Sequence, residues 1–175
     1  MYIQNDNLTI RNAVASDAAQ LGKWWRDGEV MTHAGFPKGL TITDDEIISD
    51  ISTFTDNTRR VLIIEADSTP IGEMSYSIMG DATAEIGIKI CDTTMQGKGY
   101  GTALLRMFIS SLFYEYGCDK IILDTNLNNI RAQHTYEKIG FRRIGQRIDC
   151  WKDQLGVLQS AVDYELYKNE WKCTI

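Results

Sequence analysis

Gln96-Gly97-Lys98-Gly99-Tyr100-Gly101 is the stretch on which the reading of this chain turns. It follows closely on a β-branched segment, Ala84 to Cys91, and opens a long segment with helical periodicity, Gly99 to Tyr116. In the second segment Leu104, Leu105, Phe108, Ile109, Leu112 and Phe113 fall on one face of a helix. The glycine run therefore lies between a strand and a helix N-terminus. The first amides of a helix have no internal acceptor and point outward. The helix dipole adds a partial positive charge at the same place. Glycine lets the backbone come close to a diphosphate and take positive φ. Lys98 can add a cationic contact.

Spacing excludes two nucleotide loops. A Walker loop needs Ser or Thr after its lysine, and Gly99 follows Lys98. A dinucleotide loop counted from Gly97 and Gly99 needs a third glycine at 102, where the chain has Thr102. A flexible turn before a helix would also contain such glycines, so the run alone does not select a ligand.

Upstream, Leu8 to Val14 reads as a strand. Asp17 to about Gly28 reads as a helix with Ser16 as N-cap. Met31 to Leu40 contains Gly35, Pro37 and Gly39 and reads as a loop. Thr43-Asp44-Asp45-Glu46 has capping-box spacing and starts a helix to about Thr53. Arg60 to Ala66, Ile71 to Met79 and Ala84 to Cys91 read as strands joined by short turns, hence antiparallel. Downstream of the long helix and its expected C-cap Gly117, Lys120 to Thr125 reads as a buried strand. Asn129 to Ile139 reads as a helix closed by Gly140, and Phe141 to Asp149 and Ala161 to Lys168 as final strands. The layout is α+β, a mixed and mostly antiparallel sheet flanked by helices. Strands 84–91 and 120–125, joined through a helix, should be parallel.

The chain has 175 residues, the size of a single domain spanning 1–175. Its net charge of −6 argues against a nucleic-acid binder and mildly favours a cationic partner such as an amine. Four cysteines and two histidines show no metal-ligand spacing, so no metal is expected. The first seven residues lack a basic region and an apolar one, so no signal peptide is expected. No apolar stretch reaches membrane-spanning length. A reducing cytoplasm is the expected setting, and a homodimer stays open.

The specificity comes from a second motif. Asn129-Ile130-Arg131-Ala132-Gln133-His134-Thr135-Tyr136-Glu137-Lys138-Ile139-Gly140-Phe141 resembles the N-x-x-A-x-x-x-Y-x-K-x-G-F pattern of the GNAT family of N-acetyltransferases. Gln96, Gly99 and Gly101 resemble that family's (Arg/Gln)-x-x-Gly-x-(Gly/Ala) run. The two motifs stand one helix and one strand apart, as in the family. Within it, the chain looks most like the branch that acetylates ribosomal-protein N-termini, spermidine and aminoglycosides.

The resemblance implies an acetyl group moved from acetyl-CoA to a primary amine by direct attack, with a small polyamine or a protein N-terminus as the expected acceptor; an aminoglycoside acceptor, or a non-catalytic CoA-binding domain, is the alternative. It implies cofactor contacts along Gln96 to Gly101 and at Thr102. It also implies a strand that splays from its neighbour and exposes Ile88, Lys89 and Ile90 to the cofactor. Asn129 and Tyr136 share a helix face about 10 Å apart along the axis, enough to line an extended ligand. By resemblance Asn129 meets the pantetheine arm and Tyr136 lies by the thioester sulfur, where a phenol can protonate the thiolate. Arg131 and Lys138 are candidates for the 3′-phosphate. Glu85 is the candidate base, with His33 as the alternative. Cys91 lies near the site in sequence, but no histidine is placed to activate it, so no acyl-enzyme is expected. The acceptor site is expected from Trp25, Glu29 and Phe36, with Asp124 and Tyr164 as further candidates. Trp24 and Trp25 are adjacent, so one faces the core and the other can line a pocket.

Overall fold

The computed structural model describes residues 1–172; Cys173 lies outside the described residues. The chain opens with a hairpin, β1 (Tyr2–Asn5) and β2 (Leu8–Asn12). Three helices follow, α1 (Ala18–Trp25), α2 (Gly28–Met31) and α3 (Asp44–Thr53). Then come β3 (Arg59–Ala66), β4 (Thr69–Ile78) and β5 (Thr83–Ile90). The second half is α4 (Tyr100–Tyr114), β6 (Lys120–Asn126), α5 (Ile130–Ile139), β7 (Arg142–Lys152) and β8 (Leu158–Tyr167). Among the described residues the strands form one sheet in the order β1-β2-β3-β4-β5-β6-β8-β7. All neighbours are antiparallel except β5 and β6. No helix among these residues is long and apolar enough to cross a membrane.

Alternation along the strands sends side chains to two cores. Leu62 and Ile64 of β3 pack with the apolar face of α4, where Leu104, Leu105, Phe108, Ile109, Leu112 and Phe113 are all at most 1% exposed. Val61 and Ile63 point to the other face and pack with Leu21 and Trp24 of α1 and Ile47 and Ile51 of α3. The sheet is thus sandwiched between α4 with α5 and α1 with α3.

Several local expectations need correction. Ser16 does not cap α1; the chain makes a 3-10 turn over Ala15–Asp17 first. Asp17 instead accepts from the Val14 amide at 2.8 Å and pairs with Arg11, which holds the turn closed. The first helix stops at Trp25, because Asp27 is extended and its carboxylate caps a new helix by accepting from Glu29 N at 2.8 Å. Part of the expected loop at 31–40 is therefore helical. The long helix ends at Tyr114 with Glu115 as its C-cap, and Gly117 is in the left-handed region two residues after the cap. β1 had no distinct pattern of its own; its pairing with β2 turns on Asp6 at φ 50°.

Candidate functional site

β5 pairs with β4 along its whole length, from Ala84 opposite Ile78 to Ile90 opposite Gly72. It pairs with β6 only at Thr83–Lys120, Ala84–Ile121 and Glu85–Ile122. Beyond Glu85 the two strands part, and a groove of about 1030 Å³ opens between them. Gly87, Ile88, Lys89 and Ile90 form one wall, and Asp124, Thr125 and Asn126 form the other. Beyond Glu85 the groove edge of β5 has no strand partner among the described residues.

The glycine run forms the floor at one end. Gly97 and Gly99 have φ of 78° and 87°, and nothing lies within 4 Å of the Cβ that either would carry. Glycine is needed there for the conformation rather than for packing. The first helical bonds run from Thr102 N and Ala103 N to the Gly99 carbonyl, so the amides of residues 97–101 have no backbone acceptor among the described residues. Gly97, Gly99, Gly101 and Thr102 line the groove. Such an amide cluster with the dipole behind it suits a diphosphate. Lys98 is exposed and its Nζ lies 3.8 Å from Met95 Sδ, outside the groove. Tyr100 packs on the core.

Gln96 has a role that the spacing did not reveal. Its Nε2 donates to the Ile90 carbonyl at 2.8 Å, and its Oε1 accepts from Arg131 at 2.9 Å. The side chain ties the end of β5 to the start of α5 across the glycine run. Asn129 caps α5, accepting from Ala132 N at 3.2 Å, and also lines the groove. Lys138 is exposed and does not reach it.

Tyr136 lines the groove from α5 and is only 7% exposed. Phe141 and Tyr164 meet its ring edge-on at 6.0 and 5.8 Å. Among the described residues its hydroxyl has no hydrogen-bond partner. Burial, then the charge of Asp124, pushes the phenol up to about 12. It is a neutral proton donor throughout the physiological range.

The far end of the groove is built by Glu29 and His33 from the segment after α1, by Asp124, and by Trp151 of β7. Trp151 was not expected. Its ring lies against Gly35, where an added Cβ would sit 2.3 Å from Cζ3. Gln154 fastens the β7–β8 hairpin to the same segment: its amide donates to Gly35 O at 2.8 Å, and its side chain bonds Lys38 N and Gly39 O. The signal for Trp151 was an aromatic residue just before the turn at Asp153. Nothing local says that this turn folds back on residue 35.

Besides Lys98 and Tyr100, four expected site residues lie elsewhere. Tyr164 is fully buried and donates to Glu137 Oε1 at 3.0 Å, because its position on β8 faces α5 rather than the groove. Phe36 is on the surface and does not line the groove. Trp24 faces the core, as the adjacency argument required, and Trp25 donates its indole N–H to Glu73 Oε2 at 2.7 Å. Glu73, buried on β4, also pairs with the Lys89 ammonium at the groove wall. Glu85 lines a smaller cavity of about 230 Å³ beside the groove. Cys91 lines the groove, but burial and then the charge of Glu73 push its thiol up to about 12. It is a poor nucleophile there.

Comparison with known proteins agrees with this geometry. The model of the family described as the acetyltransferase (GNAT) domain matches residues 7–142. An aminoglycoside N(6')-acetyltransferase type 1 of Klebsiella pneumoniae is 27% identical over 154 residues, 81% of this chain and 77% of that protein. A solved structure of a probable acetyltransferase superposes with a TM-score of 0.84 at 25% identity, over 98% of this chain and 99% of that one. Spermidine N-acetyltransferase of Vibrio cholerae, in complex with CoA and spermine, shares the fold with a TM-score of 0.84 at 22% identity, over 95% and 98%. The parted strands, the glycine run at the start of α4 and the match over most of the chain agree, and the chain belongs to the GNAT family of acetyltransferases.

Proposed function

We propose that this protein transfers an acetyl group from acetyl-CoA to a primary amine, with Tyr136 as general acid. The observation that carries the reading is the parting of β5 and β6 after Glu85, which leaves a strand edge and, at Gly97, Gly99 and Gly101, amides without a backbone acceptor along one groove. The amides of residues 97–101 take the pyrophosphate, the free edge at Ile88–Ile90 takes the pantetheine as an added strand, and Asn129 borders the same path. A backbone amide of that edge polarises the thioester carbonyl.

The amine nitrogen attacks the carbonyl carbon, the carbon–sulfur bond breaks, and the Tyr136 proton passes to the departing thiolate. The amine loses its own proton at the far end of the groove, where His33 and Glu29 are groups that can accept it. The Cys91 thiol, pushed up by burial and then by the charge of Glu73, supports direct attack over an acyl-enzyme. The acceptor is a small amine with more than one cationic group: the chain carries a net charge of −6, and Glu29 lines the groove. The similarity to an aminoglycoside acetyltransferase and the fold shared with a spermidine acetyltransferase support that class.

A steady-state thiol-release assay over a panel of amines tests the reading. Release that depends on an added amine is expected. Tight acetyl-CoA binding with no release for any amine would leave a cofactor-binding domain without catalysis.

A further inference from the structure

β7 does not run evenly along β8. Arg147 stands opposite Ala161, and the next registered pair is Trp151 opposite Gln159. From 147 to 151 on β7, the partner strand advances only from 161 to 159, so β7 bulges. Even pairing would set Asp149 against Gln159. Asp149 instead takes φ 47° within the bulge, and its amide donates to Ser160 Oγ at 2.9 Å. Bulges re-aim side chains, and this one puts an indole where an even strand would put a short carboxylate. Cross-strand partners share a face, as do residues two apart on one strand. Trp151 therefore lies on the face of Gln159 and Ala161, and both Trp151 and Ala161 line the groove.

The indole is held from below. Gly35 is buried beneath it at φ 92°, and a Cβ there would sit 2.3 Å from Cζ3 and 2.7 Å from Cη2 of Trp151. Gln154 bonds the same segment at Gly35 O, Lys38 N and Gly39 O. The ring is thus fixed against the stretch that brings Glu29 and His33 to the groove, and it stays half-buried.

We infer that Trp151 is a specificity-determining residue for the acceptor: its ring takes the non-reacting ammonium, with Glu29 as the counter-charge, while the reacting amine lies toward Tyr136. The inference rests on the acetyl-transfer reading above. A cation over an indole face gains more as water is excluded, and a half-buried ring at the end of a groove offers that setting. An amine without a second cation finds only apolar surface there. A residue that merely packed the hairpin onto Gly35 would affect every amine alike.

The test compares steady-state acetylation of cadaverine and 1,8-diaminooctane with that of pentylamine and octylamine. The proteins are the wild type, Trp151→Leu, Trp151→Phe and Gly35→Ala, with circular dichroism melts to check folding. The wild type should prefer the diamine of each pair by kcat/KM. Trp151→Leu should cut that preference about fivefold, and Trp151→Phe about twofold, because a benzene ring holds a cation less well than an indole. Gly35→Ala, whose methyl group displaces the ring, should cut it as well. If the leucine variant does not fold, the phenylalanine and Gly35→Ala variants carry the test. An equal change for diamine and monoamine in the folded variants would make Trp151 a packing residue and overturn the inference. So would a wild type that does not prefer the diamines. Turnover of other amines with neither diamine accepted overturns it while leaving acetyl transfer intact. Turnover of no amine at all overturns acetyl transfer itself.

Discussion

Tyr136 meets two demands at one position. Its ring is held by Phe141 and Tyr164, so its place is fixed by the core, while its hydroxyl faces the groove and bonds to no other described residue. Tyr136→Phe keeps the packing and removes the proton. It should lower kcat by about 10²–10⁴-fold with little change in acetyl-CoA affinity, measured by thiol release and by calorimetry. An unchanged kcat rejects the assignment. The pH profile offers an independent check. A phenol pushed up to about 12 is only about 1% ionised at pH 10. The alkaline limb from Tyr136 ionisation should therefore be absent from the kcat profile up to that pH, and a loss of rate between pH 8 and 10 traceable to this residue would contradict its burial. Tyr136 and Asn129 were legible because helical spacing is a local property. Tyr164 was misplaced because which side of β8 meets α5 depends on a pairing with β6 that no short stretch encodes.

At the scale of elements, starts and stops were read well where a side chain bonds its own neighbours. Thr43 and Glu46 form the capping box that opens α3, with Glu46 Oε2 accepting from Thr43 N at 2.7 Å and Glu46 N donating back at 3.2 Å. Asn129 and Gly140 bound α5 as expected. The turn before α1 was misread because its stabilising bond is long in sequence: Asp17 pairs with Arg11 of β2, which also holds Glu65 of β3. Burial alone would raise the Asp17 carboxyl, but the Arg11 guanidinium and the Val14 amide outweigh it and hold it below the usual carboxylate range. Asp17→Asn should cost about 1–3 kcal/mol at pH 7 in urea melts, the scale of charged hydrogen bonds. A carboxyl depressed in the folded state contributes its stability above its unfolded value near 4 and loses it as pH falls through the lower folded value. The gap between wild type and variant should therefore shrink at pH 3, and a gap as wide as at pH 7 would show that Asp17 acts through packing alone. Glu73 and Trp151 escaped the sequence for the same reason as the turn, since their contacts with Lys89, Trp25 and Gly35 join distant segments.

The whole molecule is a sheet with a break built into its middle. Among the described residues, five strands on one side of the break (β1 to β5) and three on the other (β6, β8 and β7) are held by antiparallel ladders, and the parallel pair β5–β6 supplies three registered partners before it opens. The core on the α4 and α5 face joins residues of both halves across the break, whereas the core on the α1 and α3 face lies on the first half. The mixed α+β layout and the parallel pair were legible from the order of periodicities. The parting itself was implied only by resemblance, since residues 86–90 and 123–126 alternate like any paired strands. The central claim is that this break, floored by the glycine run, holds acetyl-CoA. Titration calorimetry of acetyl-CoA into the wild type and into Gly99→Val tests it most directly. Gly99 has φ 87° with open space around it, so valine strains the loop without striking the core. The account predicts binding by the wild type and at least about tenfold weaker binding by the variant, with an unchanged circular dichroism spectrum, since one order of magnitude needs only about 1.4 kcal/mol. Equal affinity in the two proteins would contradict it.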